Sequence, residues 1–346
     1  MPRTNRVTMQ DVARLAGVTA RTVSNVVNDY PFVKDETRKK VWDAVHQLGY
    51  TMNYSARGLR QGDMRLIALA VPDLTMPYFA DLADAVIAHA HNRGMRVTIE
   101  PTASSRQRER EILHGIDGLY TDGLIYCPLD IAPAELLTIT PNFPVVVLSE
   151  PVHDSEYDYV TIRNREAACA ATEALIRGGS HHIAAIGLGA DQAVGTANER
   201  FLGYRDALAK HGLDPDPTLE VVTNSWHRSE GIAAVEQLLD HATAFDGVFA
   251  FTDQIATGAL YALQLRGKRI PDEVAVIGFD NNDESRYFSP TLSTIDPGVD
   301  DIAEQAVDIL IRRIGNDDSA PIHRIVNFSL IERQSTRPAN IAAVRQ

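Results

Sequence analysis

From Leu66 to about residue 330 the chain alternates short, unbroken apolar runs with amphipathic stretches of helical length. The apolar runs are RLIALAV (65–71), RVTIEP (96–101), DGLIYCP (122–128), FPVVVLS (143–149), YVTI (159–162), HIAAIGL (182–188), GVFAFT (247–252) and VAVIGFD (274–280). Helical spacing falls over 78–93, 106–119, 165–178, 198–211, 229–241, 254–266 and 299–314. A strand that is apolar throughout is buried on both faces, as in a parallel sheet held between two layers of helices. Two such sets in tandem predict an α/β body of two Rossmann-like subdomains, with a cleft at the carboxyl ends of the strands. No internal repeat or low-complexity segment competes with this pattern.

The first 65 residues differ in charge. They hold 11 Lys and Arg against 6 Asp and Glu, a net of +5; the rest holds 22 against 40, a net of −18, and the whole chain stands at −13. A basic module is joined to an acidic body. Basic segments attract phosphate, whereas an acidic body stays soluble and disfavours adventitious contact with nucleic acid.

Within the basic module, DVARLAGVTARTVSNVVND (11–29) reads as two short helices broken at Gly17 and Val18. Thr8 is placed to cap the first, from about Met9 to Ala16, with Val12, Ala13 and Leu15 on its apolar side. Thr19 caps the second, whose Val23, Val26 and Val27 make it weak by propensity and dependent on packing. A third helix is expected from Asp35 to Leu48, with Asp35 capping it. Three short helices on one small core form a helix-turn-helix domain. The front of its second helix offers Ala20, Arg21 and Asn25 to the major groove. Arg suits guanine, Ala a thymine methyl and Asn adenine. Thr8, Thr19, Thr22, Ser24 and Asn28 are short hydrogen-bonders suited to phosphates. The competing reading is a plain helical hairpin with a solvated Arg21.

VTMQDVARLAGVTARTVSNVVN (7–28) and TRKKVWDAVHQLGYTMNYSARGL (37–59) resemble the DNA-binding signature of the lactose/galactose repressor (LacI/GalR) family of bacterial transcription regulators, and the likeness extends over most of the chain. The resemblance implies that Ala20, Arg21 and Asn25 read sequence, with Asn25 standing where many members carry Arg. Lys34 replaces the usual capping Ser of the third helix. NYSARGLR (53–60) matches the hinge helix, which in relatives folds on the operator. That match adds Tyr54 and Ser55 to the DNA contacts and makes Leu59 the wedge that opens a minor-groove step. The alternative is an ordinary linker with Leu59 packed on its neighbour. The family implies a periplasmic-binding-protein-like body, with the chain crossing between subdomains near 162, 293 and 324. The expected organisation is a head over 1–52, a hinge over 53–65 and a body over 66–338. Within the body one subdomain spans 66–162 and 293–323, and the other 163–292 and 324–338.

Several body residues sit at strand ends or helix starts, where α/β folds bind ligands: Asp73, Tyr78, Phe79, Ser149, Arg200, Trp226, Thr252, Asp253 and Asp280. Carboxylate and guanidinium groups make paired hydrogen bonds to hydroxyls, and aromatic rings cover the apolar faces of a sugar. Similar repressors use the positions of Tyr78, Phe79, Arg200, Trp226, Thr252 and Asp280 for their effector. Ser149 stands where some sugar-binding relatives carry Asp, Glu150 follows it, and Arg163 replaces a frequent Asp. For Arg200 and Asp280 the alternative is a structural ion pair; for Tyr78 and Phe79 it is a place in the core.

Catalysis finds no support. GLGADQ (187–192) imitates a dinucleotide fingerprint but lacks its third Gly and its acidic partner. No phosphate-binding loop, metalloprotease motif or nucleophile elbow is present, and His181-His182 reads as a turn. Cys127 and Cys169 are far apart, so neither a disulfide framework nor a metal site is expected, and no cofactor is implied. MPRTNRVTMQDVARLAG lacks the apolar core of a secretory signal, which makes the cytoplasm the expected compartment. The expectation is a dimeric regulator of a pseudo-palindromic double-stranded operator, controlled by a small sugar, with no membrane partner. The tail PANIAAVRQ is shorter than the heptad zipper of tetrameric relatives. Two rivals stand beside it: the same regulator with a nucleobase co-repressor, and a transport-type sugar-binding protein.

Overall fold

The structure, a computed structural model, describes residues 7–27, 30–50, 64–115, 121–150, 156–189 and 195–338. It separates into two compact units, Met1–Met64 and Arg65–Gln346.

In the first unit, helices α1 (Met9–Ala16), α2 (Ala20–Val27) and α3 (Asp35–Leu48) surround a core of Val12, Ala13, Val23, Val26, Val41, Ala44 and Val45. Gly17 ends α1 at φ +66°, a left-handed conformation that costs a Gly little, and Val18 packs against the core at the corner. Two expectations are corrected. Leu15 is 45% exposed, because the face of α1 that meets α2 and α3 runs through Met9, Val12, Ala13 and Ala16. Lys34, not Asp35, is the N-cap residue of α3 and makes no side-chain cap bond. Asp35 and Glu36 lie inside the first turn, where their charges favour the positive end of the helix dipole.

The second unit begins with β1 (Leu66–Val71), α4 (Pro77–Asn92), β2 (Arg96–Pro101), α5 (Arg106–Leu113), β3 (Gly123–Tyr126), α6 (Pro133–Leu136), β4 (Val145–Val147) and β5 (Asp158–Ile162). After the first crossing come α7 (Asn164–Arg177), β6 (Ile183–Leu188), α8 (Thr196–Lys210), β7 (Glu220–Val222), α9 (Arg228–Asp240), β8 (Gly247–Ala250), α10 (Asp253–Leu265) and β9 (Ala275–Ile277). The chain ends with β10 (Thr294–Asp296), α11 (Val299–Ile314), β11 (His323–Val326) and β12 (Ser329–Ile331).

One parallel sheet has the order β11-β5-β4-β3-β1-β2 and the other β7-β6-β8-β9; β10 and β12 pair antiparallel. Alternate residues of β1 serve opposite faces. Ile67, Leu69 and Val71 join the cluster that takes in α4 and α11, while Ala68 and Ala70 join Ile112, Leu113 and Tyr126. Burial on both faces explains the continuous apolar runs. Each sheet reverses its strand order once, between β1 and β3 and between β6 and β8, so each has a switch point at its carboxyl end. Gly231 and Gly258 let α9 and α10 meet backbone to backbone. A Cβ on either would lie 2.1 Å from the carbonyl oxygen of Ile255 or 2.0 Å from that of Arg228.

Differences from the sequence reading are local. The helix expected over 106–119 stops at Leu113, and Gly115 follows at φ +67°. The third crossing lies beyond Val326 rather than near 324, because β11 pairs with β5 through Val326↔Ile162. Strands β7, β10, β11 and β12 were not anticipated. Each is only three or four residues long, and β11 is mostly exposed, so none presents a continuous apolar run.

Candidate functional site

In the first unit, local hydrogen bonds set the corner that presents α2. Thr8 and Asp11 form a capping box: the Thr8 backbone N–H donates to Asp11 Oδ2 at 2.9 Å, and Asp11 N–H donates to Thr8 Oγ1 at 3.4 Å. The Thr8 hydroxyl also donates to Asp11 at 2.6 Å, which holds the Asp11 carboxyl below its usual range. Thr19 accepts the Thr22 N–H at 3.1 Å, and the two hydroxyls lie 2.9 Å apart. Arg21 is exposed on the first turn of α2, with Ala20, Thr22, Ser24 and Asn25 partly exposed around it. Buried Val23 and Val26 fix that orientation from behind. Asn28, Tyr54, Ser55 and Leu59 lie outside the described residues.

In the second unit, the ends of β1, β4, β6, β8 and β9 bring most of the remaining candidates together. Arg200, the fifth residue of α8, is buried. Its Nε donates to Asn164 Oδ1 at 3.0 Å, and its Nη1 donates to the carbonyl of Phe251. The guanidinium lies 3.5 Å from the centre of the Phe279 ring and 5.4 Å from that of Trp226. Burial lowers its proton affinity, and Asp280 is the foremost charge opposing that effect. Trp226 donates its indole N–H to the Gly187 carbonyl at 3.0 Å, so the ring is held and its face is what it can offer.

Asp280 is buried, and burial holds its carboxyl well above the ordinary range. It adopts φ +113° and Asn281 φ +53°. Side chains in such conformations cost on the order of 1–3 kcal/mol each and persist where surrounding structure enforces them, often at binding sites. Here Asp280 N–H donates to the Ile295 carbonyl at 2.8 Å, and the Asn281 side chain donates to Asp296 at 2.9 Å. The crossing strand β10 therefore enforces the bend.

Tyr78 and Phe79 open α4 from the first sheet, half-buried against the main core, with ring centres 5.2 Å apart in an edge-to-face pair. Burial raises the Tyr78 hydroxyl pKa, and Asp280 and Arg200 lie within electrostatic reach. These rings are both core members and neighbours of the charged residues. Asp73 accepts the Thr75 N–H at 2.7 Å and its hydroxyl at 2.8 Å, and meets His227 Nε2 at 3.2 Å across the cleft. Although burial opposes it, the Thr75 bonds and His227 keep the Asp73 carboxyl below its usual range. Ser149 is half-buried just past β4.

Two candidates are corrected. Asp253 is fully engaged in holding the fold: Oδ2 accepts Asn282 N–H at 2.9 Å and Ser285 Oγ at 2.6 Å, and Oδ1 accepts Thr294 Oγ1 at 2.6 Å. It ties α10 to the turn after β9 and to β10, and at 1% exposure it presents almost no surface to a ligand. Thr252 is the buried N-cap of α10; its hydroxyl accepts Ile255 N–H at 3.2 Å and donates to the Trp226 carbonyl at 3.4 Å. Conversely, Asn164, Phe279 and His227 escaped sequence reading. Phe279 carried a signal, since it directly precedes Asp280 in an otherwise aliphatic strand end; the other two carried none.

Among the described residues no group of three or more His, Cys, Asp or Glu is placed to hold a metal ion, and no helix is long and apolar enough to cross a membrane.

Two family models match the chain: bacterial regulatory proteins of the lacI family over residues 8–53, and the periplasmic binding protein-like domain over 172–336. Catabolite control protein A of Priestia megaterium is 31% identical over 96% of this chain and 99% of its own length. The HTH-type transcriptional repressor PurR of Vibrio atlanticus is 29% identical over 96% and 99%. The solved complex of the transcriptional regulator CelR with cellobiose superposes with a TM-score of 0.71 at 28% identity, over 95% of this chain and all of that one. A helix-turn-helix head, a body of two parallel sheets and relatives aligned end to end lead to one conclusion: the chain belongs to the lacI family of bacterial regulatory proteins and is a DNA-binding transcriptional repressor.

Proposed function

We propose that this repressor is a homodimer that reads a pseudo-palindromic operator and that a small sugar in the cleft of its second unit controls its DNA affinity. The carrying observation is the guanidinium of Arg200, held face-on over Phe279 at 3.5 Å beside Trp226 and Asp280. A fixed guanidinium, a buried carboxylate and an aromatic face meet the needs of a ring with hydroxyls on its edge and C–H groups on its faces. The CelR relative, solved as a complex with cellobiose, is in keeping with this reading. The nucleobase alternative is less favoured, because the guanidinium, 3.5 Å from the ring centre, already covers one face of Phe279 on which a planar base would stack. A thermal-shift screen of sugars and nucleobases tests the reading: a ligand of the native state raises the melting temperature. A response to nucleobases alone would overturn it.

On the DNA side, Arg21, Ala20 and Asn25 read bases, and the capping residues Thr8 and Thr19 with Thr22, Ser24 and Asn28 position the head on phosphates. Tyr54, Ser55 and Leu59 act as hinge contacts through the family resemblance. Arg21→Ala is expected to weaken operator binding by about 1–3 kcal/mol and to relax preference at one base pair per half-site, with little change on random DNA. Equal losses on both would make Arg21 a phosphate contact.

The dimer has support on the body. Tyr261 and Leu265, one turn apart on α10, are 53% and 65% exposed, and Tyr287 is 77% exposed. Gln264 donates to the Ser289 carbonyl at 2.6 Å, which sets the segment bearing Tyr287 beside that helix face. Such an apolar cluster marks an interaction surface. Tyr287→Asp is expected to weaken self-association by about 2 kcal/mol or more, read by sedimentation equilibrium. An unchanged dissociation constant would place the interface elsewhere.

A further inference from the structure

Glu150 stands one residue past Ser149 at the end of the first sheet, and it reaches the second subdomain. Its Oε1 accepts Nδ2 of Asn164 at 2.7 Å, and Asn164 Oδ1 in turn accepts Nε of Arg200. One amide therefore separates this carboxylate from the Arg200 guanidinium.

Carboxyl groups crowd that guanidinium. Asp280, Glu150 and Asp253 all act on Arg200. Glu199 adds its field to Glu150, and Asp81 adds its field to Asp280. Arg200 itself is engaged by Asn164 and the Phe251 carbonyl, and one face is covered by Phe279. In keeping with this, burial raises the pKa of both Glu150 and Asp280.

We propose that Glu150 sets the charge class of the effector: the cleft admits an uncharged or amine-bearing sugar and rejects the same sugar carrying a phosphate. This rests on the sugar reading above. A phosphate brings a charge of about −1.5 to −2 at neutral pH. It would meet half-buried Glu150 and buried Asp280, which oppose it when ionised and offer it no positive charge when protonated. The cation that acts on both is Arg200, itself engaged by Asn164 and Phe251. Hydroxyls carry no such cost, and an ammonium group would be attracted. Gln in place of Glu150 keeps an acceptor for Asn164 and removes the charge.

The test is a melting-temperature titration of the full chain and of Glu150→Gln with matched pairs: glucose and glucose 6-phosphate, ribose and ribose 5-phosphate, with cellobiose, glucosamine and hypoxanthine alongside. The expected result is stabilisation by at least one unphosphorylated sugar, with any phosphorylated counterpart binding at least tenfold more weakly. In Glu150→Gln that ratio should shrink at least threefold. The proposal is overturned if a phosphorylated sugar binds the wild type as tightly as its counterpart, if no unphosphorylated sugar binds, or if the folded variant keeps the wild-type ratio. Preference for a phosphorylated sugar would leave the sugar reading standing, whereas a response to hypoxanthine alone would remove it. The wild-type ratio decides the matter even if the variant fails to fold.

Discussion

Glu109→Ala is expected to lower the unfolding free energy by about 3 kcal/mol or more, since several buried donors lose their acceptor at once. Glu109 is fully buried on α5. Its Oε1 accepts the backbone N–H groups of Leu129 and Asp130, both at 3.1 Å, and its Oε2 accepts Ile131 N–H at 2.9 Å and the Tyr126 hydroxyl at 2.6 Å. The carboxylate thus shapes the loop after β3, at the switch point of the first sheet. Consistent with an acceptor at hand, burial and the adjacent Glu109 keep the Tyr126 hydroxyl protonated far above its usual range. Glu109→Gln should be milder but still harmful, because its amide N–H₂ would face donors. Urea denaturation measures both. A loss below about 1 kcal/mol for the Ala variant would mean that water replaces the carboxylate at little cost.

The second large effect concerns pH. Burial pushes the Asp253 carboxyl up to about 7 from 3.8, although Ser285, Thr294 and Asn282 donate to it. Between these values the folded chain keeps a proton that the unfolded chain has released. Stability from this group is therefore fully present near pH 4, falls as pH rises towards 7 and is flat above. The span corresponds to about 4 kcal/mol as an upper bound. Asp280 and Glu150 are raised in the same direction, so the informative quantity is the stability of the wild type minus that of Asp253→Asn. That difference should decline from pH 4 to 7. Parallel curves would show that Asp253 is ionised throughout.

The fold was legible wherever one segment carried its own signal. The helices of the head, α11 and the apolar cores of eight strands were readable because cap residues, helical spacing and continuous apolar runs are local properties. Strands β7, β10, β11 and β12 were not. β7 is a short edge strand beside β6, and β10, β11 and β12 form where the chain finds partners far away in sequence, as Thr294 does with Ile331 and His323 with Tyr159. In the cleft, Arg200, Trp226, Tyr78 and Asp280 were placed at strand ends and helix starts, and the structure brings them within one another's reach. Thr252 and Asp253 share that location yet serve as a cap and a tie, a distinction that only their partners reveal. Asn164 was invisible because its importance lies in joining Glu150 to Arg200, 14 and 36 residues away.

The proposed function couples a DNA-reading head to a ligand of the body. Selection of duplexes from a random-sequence library by the full-length protein, repeated with the sugar that raises its melting temperature, tests this most directly. The predicted result is enrichment of one pseudo-palindromic site with half-sites about one helical turn, or a multiple of it, apart. Occupancy of that site should change roughly 5- to 150-fold on adding the sugar, the range of ordinary allosteric coupling. Enrichment of no sequence, or an enriched site whose occupancy is indifferent to a sugar that demonstrably binds the body, would contradict it.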